Sequence, residues 1–393
     1  MAPAAIKKWF LVHKWTSLVS MVFLLMLCVT GLPLIFYHEI DHALGYSIDA
    51  PDVADPAQRA NIDDIVRDAA SRRPDDKVQY LVGNADEPEL WFVRMGADIN
   101  ALEASAFYIY DARTGDFLHD YPLGQGVMNI VFRLHYDMFA GIAGTLFLGL
   151  MGLVFVASLI SGIVLYGPYM RKLRFGDIRR LRSKRIKWLD IHNFTGVVTF
   201  VWLFVVALTG VINTLSIPIF GQWQASQLAE MVAAQPERPI DPAAEVSADA
   251  ALRAVQAVTP GQHLGFMAFP GNHFASPTHF TAFMQGAESW QSKLLQPYLI
   301  DAYSAEIVAH RELPWYVNAL LLSQPLHFGD YGGMPLKVLW ALLDSVAILV
   351  LISGIYLWLK RRHISFEDWF AAAREDGNAA QAELPANHLA GGS

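Results

Sequence analysis

One cysteine in 393 residues, Cys28, is too few for a disulfide or a thiolate metal site, which excludes a stapled fold and Cys-based redox chemistry. Charge is also scarce, at 17% against about 25% in soluble domains. No glycine-rich P-loop or Rossmann pattern occurs, which argues against nucleotide binding, and no His-Glu-x-x-His or His-x-x-His spacing supports a zincin site. A net charge of −8 gives no general basic surface for nucleic acid. What fills the chain instead is apolar sequence, 54% of residues. Four runs, at 9–36, 139–166, 195–220 and 336–359, reach the roughly 20 residues a membrane-spanning helix needs. The first is too long for a signal-peptide core and has no small-x-small site after it, so it is expected to remain as an anchor.

The basic residues predict how the spans are oriented. Nine of the 29 Lys and Arg crowd between Arg171 and Lys187, Lys7, Lys8 and Lys14 flank the first run, and Lys360-Arg361-Arg362 follow the last. The positive-inside rule places these regions and both termini in the cytoplasm, with the two long segments outside.

Within this frame the chain repeats itself. Val12-His13-Lys14-Trp15-Thr16 opens a run that reaches Thr30-Gly31, and Ile191-His192-Asn193-Phe194-Thr195 opens one that reaches Thr209-Gly210. Leu134-His135 with Leu159-Ile160-Ser161-Gly162 recurs as Leu326-His327 with Leu351-Ile352-Ser353-Gly354. Repetition at fixed offset marks a duplicated unit and singles out four of the thirteen histidines. Four paired histidines in a membrane protein suggest a cofactor.

Each half is expected to run span, outer segment, span, in the same sense through the membrane. The predicted fold is an α-helical membrane protein with four transmembrane helices in two parallel repeats, plus two small α+β periplasmic modules. Its segments are an N-terminus with the first helix (1–41), a first module (42–130), a second helix (131–170), a basic cytoplasmic loop (171–190), a third helix (191–221), a second module (222–330), a fourth helix (331–362) and a cytoplasmic tail (363–393). Helical spacing predicts helices at Ile62–Arg72 and Ala248–Val258, and alternation predicts strands at 78–82, 90–95, 107–111, 264–269, 278–284 and 298–300. Residues 222–242 are expected to form an amphipathic or irregular connector.

These features together resemble the PepSY-associated transmembrane family: histidine-led spans, a basic loop, outer segments ending in an Asp-x-x-Thr-Gly-like turn (Asp111 to Gly115), and Leu-His re-entry segments. The second segment departs from the turn pattern, with Tyr303-Ser304-Ala305 in place of Thr-Gly. The family includes bacterial inner-membrane ferric-siderophore reductases that carry two b-type haems. The resemblance implies two haem b groups, an unidentified cytoplasmic or membrane electron donor, and a ferric siderophore as acceptor. Neutral imidazole is a good iron ligand, and one on each axial face suits electron transfer. An axis relating the halves would set His13 against His192 on the inner side and His135 against His327 on the outer side. Arg133, Lys14 and Arg185 are candidates for the haem propionates, and Phe23, Trp202 and Trp340 for packing against the macrocycle. His38 and His42 fall just outside the first span without repeat partners, and His263, His273, His279 and His310, in the second outer segment, are expected at the surface, where they could meet an iron-bearing substrate. Asp344, the one charge at mid-span, needs a polar partner, for which Asn213 or Thr209 is the candidate.

A separation near 30 Å between the two pairs would slow direct electron transfer. Either the ligands lie deeper, or residues 134–141 and 326–333 fold back into the membrane. Two other function classes fit the sequence: a non-redox membrane protein whose outer modules bind or inhibit a peptidase, and a small-molecule transporter.

Overall fold

The computed structural model describes residues 3–55, 57–170, 174–180, 182–240, 246–286 and 292–361. The expected tail at 363–393, and residues 171–173 and 181 of the basic loop, lie outside the described residues. The helices are α1 (Pro3–Leu34), α2 (Tyr37–Ala43), α3 (Ile62–Arg72), α4 (Gly126–Tyr136), α5 (Gly141–Met170), α6 (Lys184–Thr214), α7 (Ser216–Trp223), α8 (Ala229–Ala233), α9 (Ala248–Val258), α10 (Trp315–Phe328) and α11 (Gly333–Arg361). The strands are β1 (Lys77–Val82), β2 (Leu90–Gly96), β3 (Ala106–Asp111), β4 (Phe117–Asp120), β5 (His263–Ala268), β6 (His279–Gln285), β7 (Leu295–Asp301) and β8 (Ile307–His310). They form two compact units, one built on α1, α5, α6 and α11, the other from residues 36–131 and 215–331.

Four helical segments are long and apolar enough to cross a membrane: Ala4–Leu34, Gly141–Gly167, Lys184–Thr214 and Gly333–Lys360. The third begins eleven residues before the apolar run expected at 195, because a helix need not stop where its apolar stretch does. The exposed Lys187 is one of the polar residues that continue it, its long stem able to carry the charge away from apolar surroundings. Each helix packs on two others in the cyclic order α1, α5, α6, α11, so α1 and α6 stand on one diagonal of the bundle. Small residues set the approach of α5 to α6. A Cβ on Gly149 would lie 2.4 Å from Thr214 Oγ1, and one on Gly152 would lie 2.8 Å from Val211 Cγ2.

The loops expected to fold back are instead helix ends and tight corners. His135 lies on α4 and His327 on α10, and the turns shrink to 137–140 and 329–332. Asp137 closes the first corner by accepting from Arg133 Nε and from the Phe139 amide, both at 2.9 Å, while Met138 and Phe139 take left-handed φ of 51° and 59°. Gly329, at φ 76°, caps α10.

The second unit corrects the expectation of two separate modules. Its strands form one eight-stranded antiparallel sheet in the order β4-β3-β2-β1-β5-β6-β7-β8. The join is β1 against β5, with Leu81 opposite Met267. Alternation sorts the side chains of the later strands. Ala282, Met284, Tyr298 and Ile300 pack in the core with α3 and α9, whereas Phe283 and Leu299 pack on the opposite face with Trp223, Met231 and Val317. The connector around 222–242 therefore takes the amphipathic form as far as Ala233, with Trp223 fully buried.

The helices α3 and α9 cap each other. Asn61 and Ser247 are their N-caps, accepting from the Asp63 and Ala250 amides. Asp249 Oδ1 also accepts from the Ile62 amide at 3.3 Å, while Asp63 accepts from the Asp249 amide and the Ser247 hydroxyl. Asp63→Ala is expected to cost about 1 kcal/mol, the usual loss on removing a cap. Faster hydrogen exchange in the first turns of both helices, not α9 alone, would register it.

Candidate histidine site in the helix bundle

His13 on α1 and His192 on α6 meet across the bundle diagonal, with ring centroids 6.5 Å apart and planes at 63°. Each ring is held by the same device from a different helix. His13 Nδ1 lies 3.0 Å from the Ser158 carbonyl and 3.2 Å from Ser161 Oγ on α5. His192 Nδ1 lies 3.1 Å from the Val350 carbonyl and 2.9 Å from Ser353 Oγ on α11. A carbonyl only accepts, so Nδ1 carries the proton in both rings. Both serines donate their own hydroxyl back to the same carbonyl, at 2.8 and 2.7 Å, and so accept from the ring. The consequence is that Nε2, with its lone pair, is the nitrogen available to a metal in each ring.

The repeated Leu-Ile-Ser-Gly segment now has a local reason. Its serine orients the ring, and its glycine makes room. A Cβ on Gly162 would stand 3.1 Å from His13 Cε1, and one on Gly354 would stand 3.5 Å from His192 Cε1. The serines are fully buried. They were the functional residues that sequence reasoning passed over, although the repeat had marked them.

The spacing suits one metal between the rings. Two imidazoles bound through Nε2 on opposite faces, at about 2.0–2.1 Å each, place their ring centres roughly 6.3 Å apart. No cluster of three or more His, Cys, Asp or Glu among the described residues could hold a bare ion. Two opposed imidazole nitrogens are a donor set that a metal already carried in a macrocycle, such as haem, could use on its two free faces. Arg185, two turns before His192 on α6, fits the same reading, since its Nε is buried without a hydrogen-bond partner where an anionic substituent would be welcome. Ser353→Ala leaves the Val350 carbonyl in place, so it is expected to weaken retention of any metal group held on His192 Nε2 about tenfold, the low end for a lost orienting contact. Haem titration of the stripped protein measures this.

The outer candidates are arranged differently. His135 Nδ1 lies 3.0 Å from Thr30 Oγ1, whose hydroxyl donates to the Met26 carbonyl, so Nδ1 carries the proton here as well. Gly31 gives clearance at 3.2 Å from His135 Cε1. His327 lies near the end of α10, its ring 5.7 Å from that of Phe328. His135 and His327 fall in different compact units, and their pairing rests on the sequence repeat alone.

Residues 10–361 match the PepSY-associated TM region. The chain belongs to that family. An uncharacterised protein of Pseudomonas aeruginosa, PA4219, is 25% identical over 255 residues, which cover 60% of this chain and 64% of that relative's length.

Elsewhere in this PepSY-associated membrane protein the candidates divide. Arg133 is committed to Asp137, and Lys14 sits over the half-exposed Trp15 ring at 5.0 Å. Outside the bundle, His42 pairs with Asp49 at 2.9 Å, His273 with Asn100, and His279 with Ser276, while His310 stacks on Tyr298 at 4.1 Å. Burial lowers the His273 and His279 pKa values, so both rings favour the neutral form. Each has a local structural role, and His279, expected at the surface, is instead buried at the start of β6, where its ring bonds Ser276. Asp344 is paired with the Cys28 thiol, and Thr209 bonds the Val205 carbonyl of its own helix at 2.7 Å.

Proposed function

We propose that this protein is a b-type haem protein of the bacterial inner membrane that passes electrons outward to a ferric siderophore, releasing Fe(II). The observation that carries the reading is the His13–His192 pair, two rings 6.5 Å apart with both Nδ1 atoms tied down by equivalent bonds. His13 and His192 would hold the inner haem, and His135 with His327 the outer one, in two parallel repeats with the α/β unit in the periplasm and both termini in the cytoplasm. The haem supplies a one-electron iron couple. The chain would orient the axial nitrogens through Ser161, Ser353 and Thr30 and leave space at Gly162, Gly354 and Gly31.

Seventeen residues of α1 separate His13 from Thr30, about 25 Å of helix rise. The two histidine levels are thus somewhat closer than a full hydrocarbon thickness, and a macrocycle at each level narrows the gap further. The experiment is transfer across proteoliposomes, with dithionite inside and a ferric chelate outside. Fe(II) trapped outside by a ferrous-specific chelator, and absent from empty vesicles, is the expected result. A reducible haem spectrum without external Fe(II) would remove the reductase assignment and leave the haem.

A further inference from the structure

Asp344 lies in the middle of α11, eleven residues from Gly333 and nine from Ser353, so about 14 Å of helix rise separates it from the His192 tether. It is 6% exposed, and its Oδ2 has no hydrogen-bond partner. Among the described residues, the side chain that bonds the carboxyl is Cys28, facing it from α1. Trp340, one turn away on the same face of α11, lies edge-on to Trp202 of α6 at 6.2 Å, and both indole N–H groups are buried without an acceptor.

Packing does not require this carboxyl. At the matching place in the first half the chain has Gly152, facing Ala207 and Val211 of α6, where Asp344 faces Cys28. An ionisable group buried at mid-span, in a position its repeat fills with glycine, is costly and so points to a function. No cation offsets it nearby. Beyond His192, α6 carries no ionisable residue as far as Thr214; α5 has none from Gly141 to Leu165; α1 has only Cys28 beyond Lys14; and on α11 Lys337 lies two turns outward, Tyr356 and Lys360 three or more inward.

We propose that Asp344 is a redox-linked proton site. The inference rests on the haem reading above. An oxidised bis-imidazole haem core carries a net positive charge, which favours the ionised carboxylate across the low-dielectric bundle, and reduction removes that charge. As the iron takes one electron from dithionite or a poised electrode, going from Fe(III) to Fe(II), the Asp344 carboxylate takes one proton from bulk water and becomes a carboxylic acid. Oxidation returns both. The bundle thus accepts an electron without gaining net charge.

The test is a redox titration of the purified full-length protein at several pH values. In the wild type one haem potential is expected to fall as pH rises, toward a tenfold shift in the reduction equilibrium per pH unit, 59 mV for one electron. Asp344→Asn should keep its haem and lose the slope, and Asp344→Glu should retain it. Reduced-minus-oxidised infrared spectra supply a second readout, even should Asp344→Asn fail to fold. A protonated-carboxyl band should appear on reduction and shift in Asp344→Glu, whereas propionate bands stay fixed. Equal slopes in wild type and Asp344→Asn, or no such band, would overturn the proton site while the haem assignment stands. A preparation without b-type bands would overturn both.

Discussion

Replacing His192 by Ala is expected to remove one of two haems and leave the other in place. The imidazole is not a surface residue that solvent can replace. It sits 6.5 Å from His13, fixed by the Val350 carbonyl and Ser353, with His13 facing it from the other end of the same bundle diagonal. Without it, a haem held here would lose one of the two side chains that would grip it. His13→Ala should give the same spectrum by symmetry of role, and the double variant should be no worse than either, because both rings serve one site. Haem per chain should fall from two to about one in each variant. His135→Ala should remove the other haem, so that only combinations across the two levels empty the protein. Full haem content in His13→Ala and His192→Ala would sink the pairing.

The second large effect lies in the α/β unit, at the turn after β3. Asp111 is fully buried and accepts from the Arg113 amide at 2.8 Å and from its guanidinium at 3.0 and 2.7 Å, while Arg113 also reaches the Pro51 carbonyl. Asp111→Ala would remove the carboxylate that holds the Arg113 guanidinium and two backbone amides of the turn, and is expected to lower the stability of the unit markedly. The matching turn is more tolerant. Asp301 pairs with Arg238, whose side chain is 48% exposed and can turn to solvent, so Asp301→Ala should cost less. The pH dependence follows from the same geometry. The Arg113 hydrogen bond holds the Asp111 carboxyl below the usual carboxylate range, against the upward push of burial. A depressed folded pKa means that the contribution is present above the unfolded value of about 3.9 and is lost as pH falls through the lower folded value. The wild-type unit should therefore hold this interaction through pH 4 and lose it in stronger acid, and Asp111→Ala should flatten that part of the profile. Chemical denaturation followed by hydrogen exchange in β3 and β4 would show both effects.

How much of this was legible in the sequence varied with the kind of interaction involved. Helices α3 and α9 appear with the expected bounds, because apolar spacing and the N-caps Asn61 and Ser247 are local signals. Strands β4 and β8 escaped, being four-residue edge strands that end in polar positions such as Asp120 and His310. The single sheet was not readable either. It depends on backbone pairing of β1 with β5 across more than 180 residues, which leaves no side-chain pattern. The inner histidine pair was legible through the repeat, whereas its tethers were not, since a serine in a helix usually bonds its own backbone. Ser161 and Ser353 do so and orient a histidine as well. Asp344 shows the same limit. Sequence pointed to Asn213 or Thr209 as its partner, but which residue meets it depends on how α11 packs on α1, and Cys28 is the one that does.

The central claim is that this membrane protein holds haem between histidines of opposite helices. Quantifying haem in the purified wild-type protein by its pyridine haemochrome, normalised to chain concentration, tests it most directly. The account predicts a red preparation with dithionite-reducible b-type bands and two haems per chain. A colourless protein, correctly folded and free of haem absorption after expression with ample haem, would contradict it.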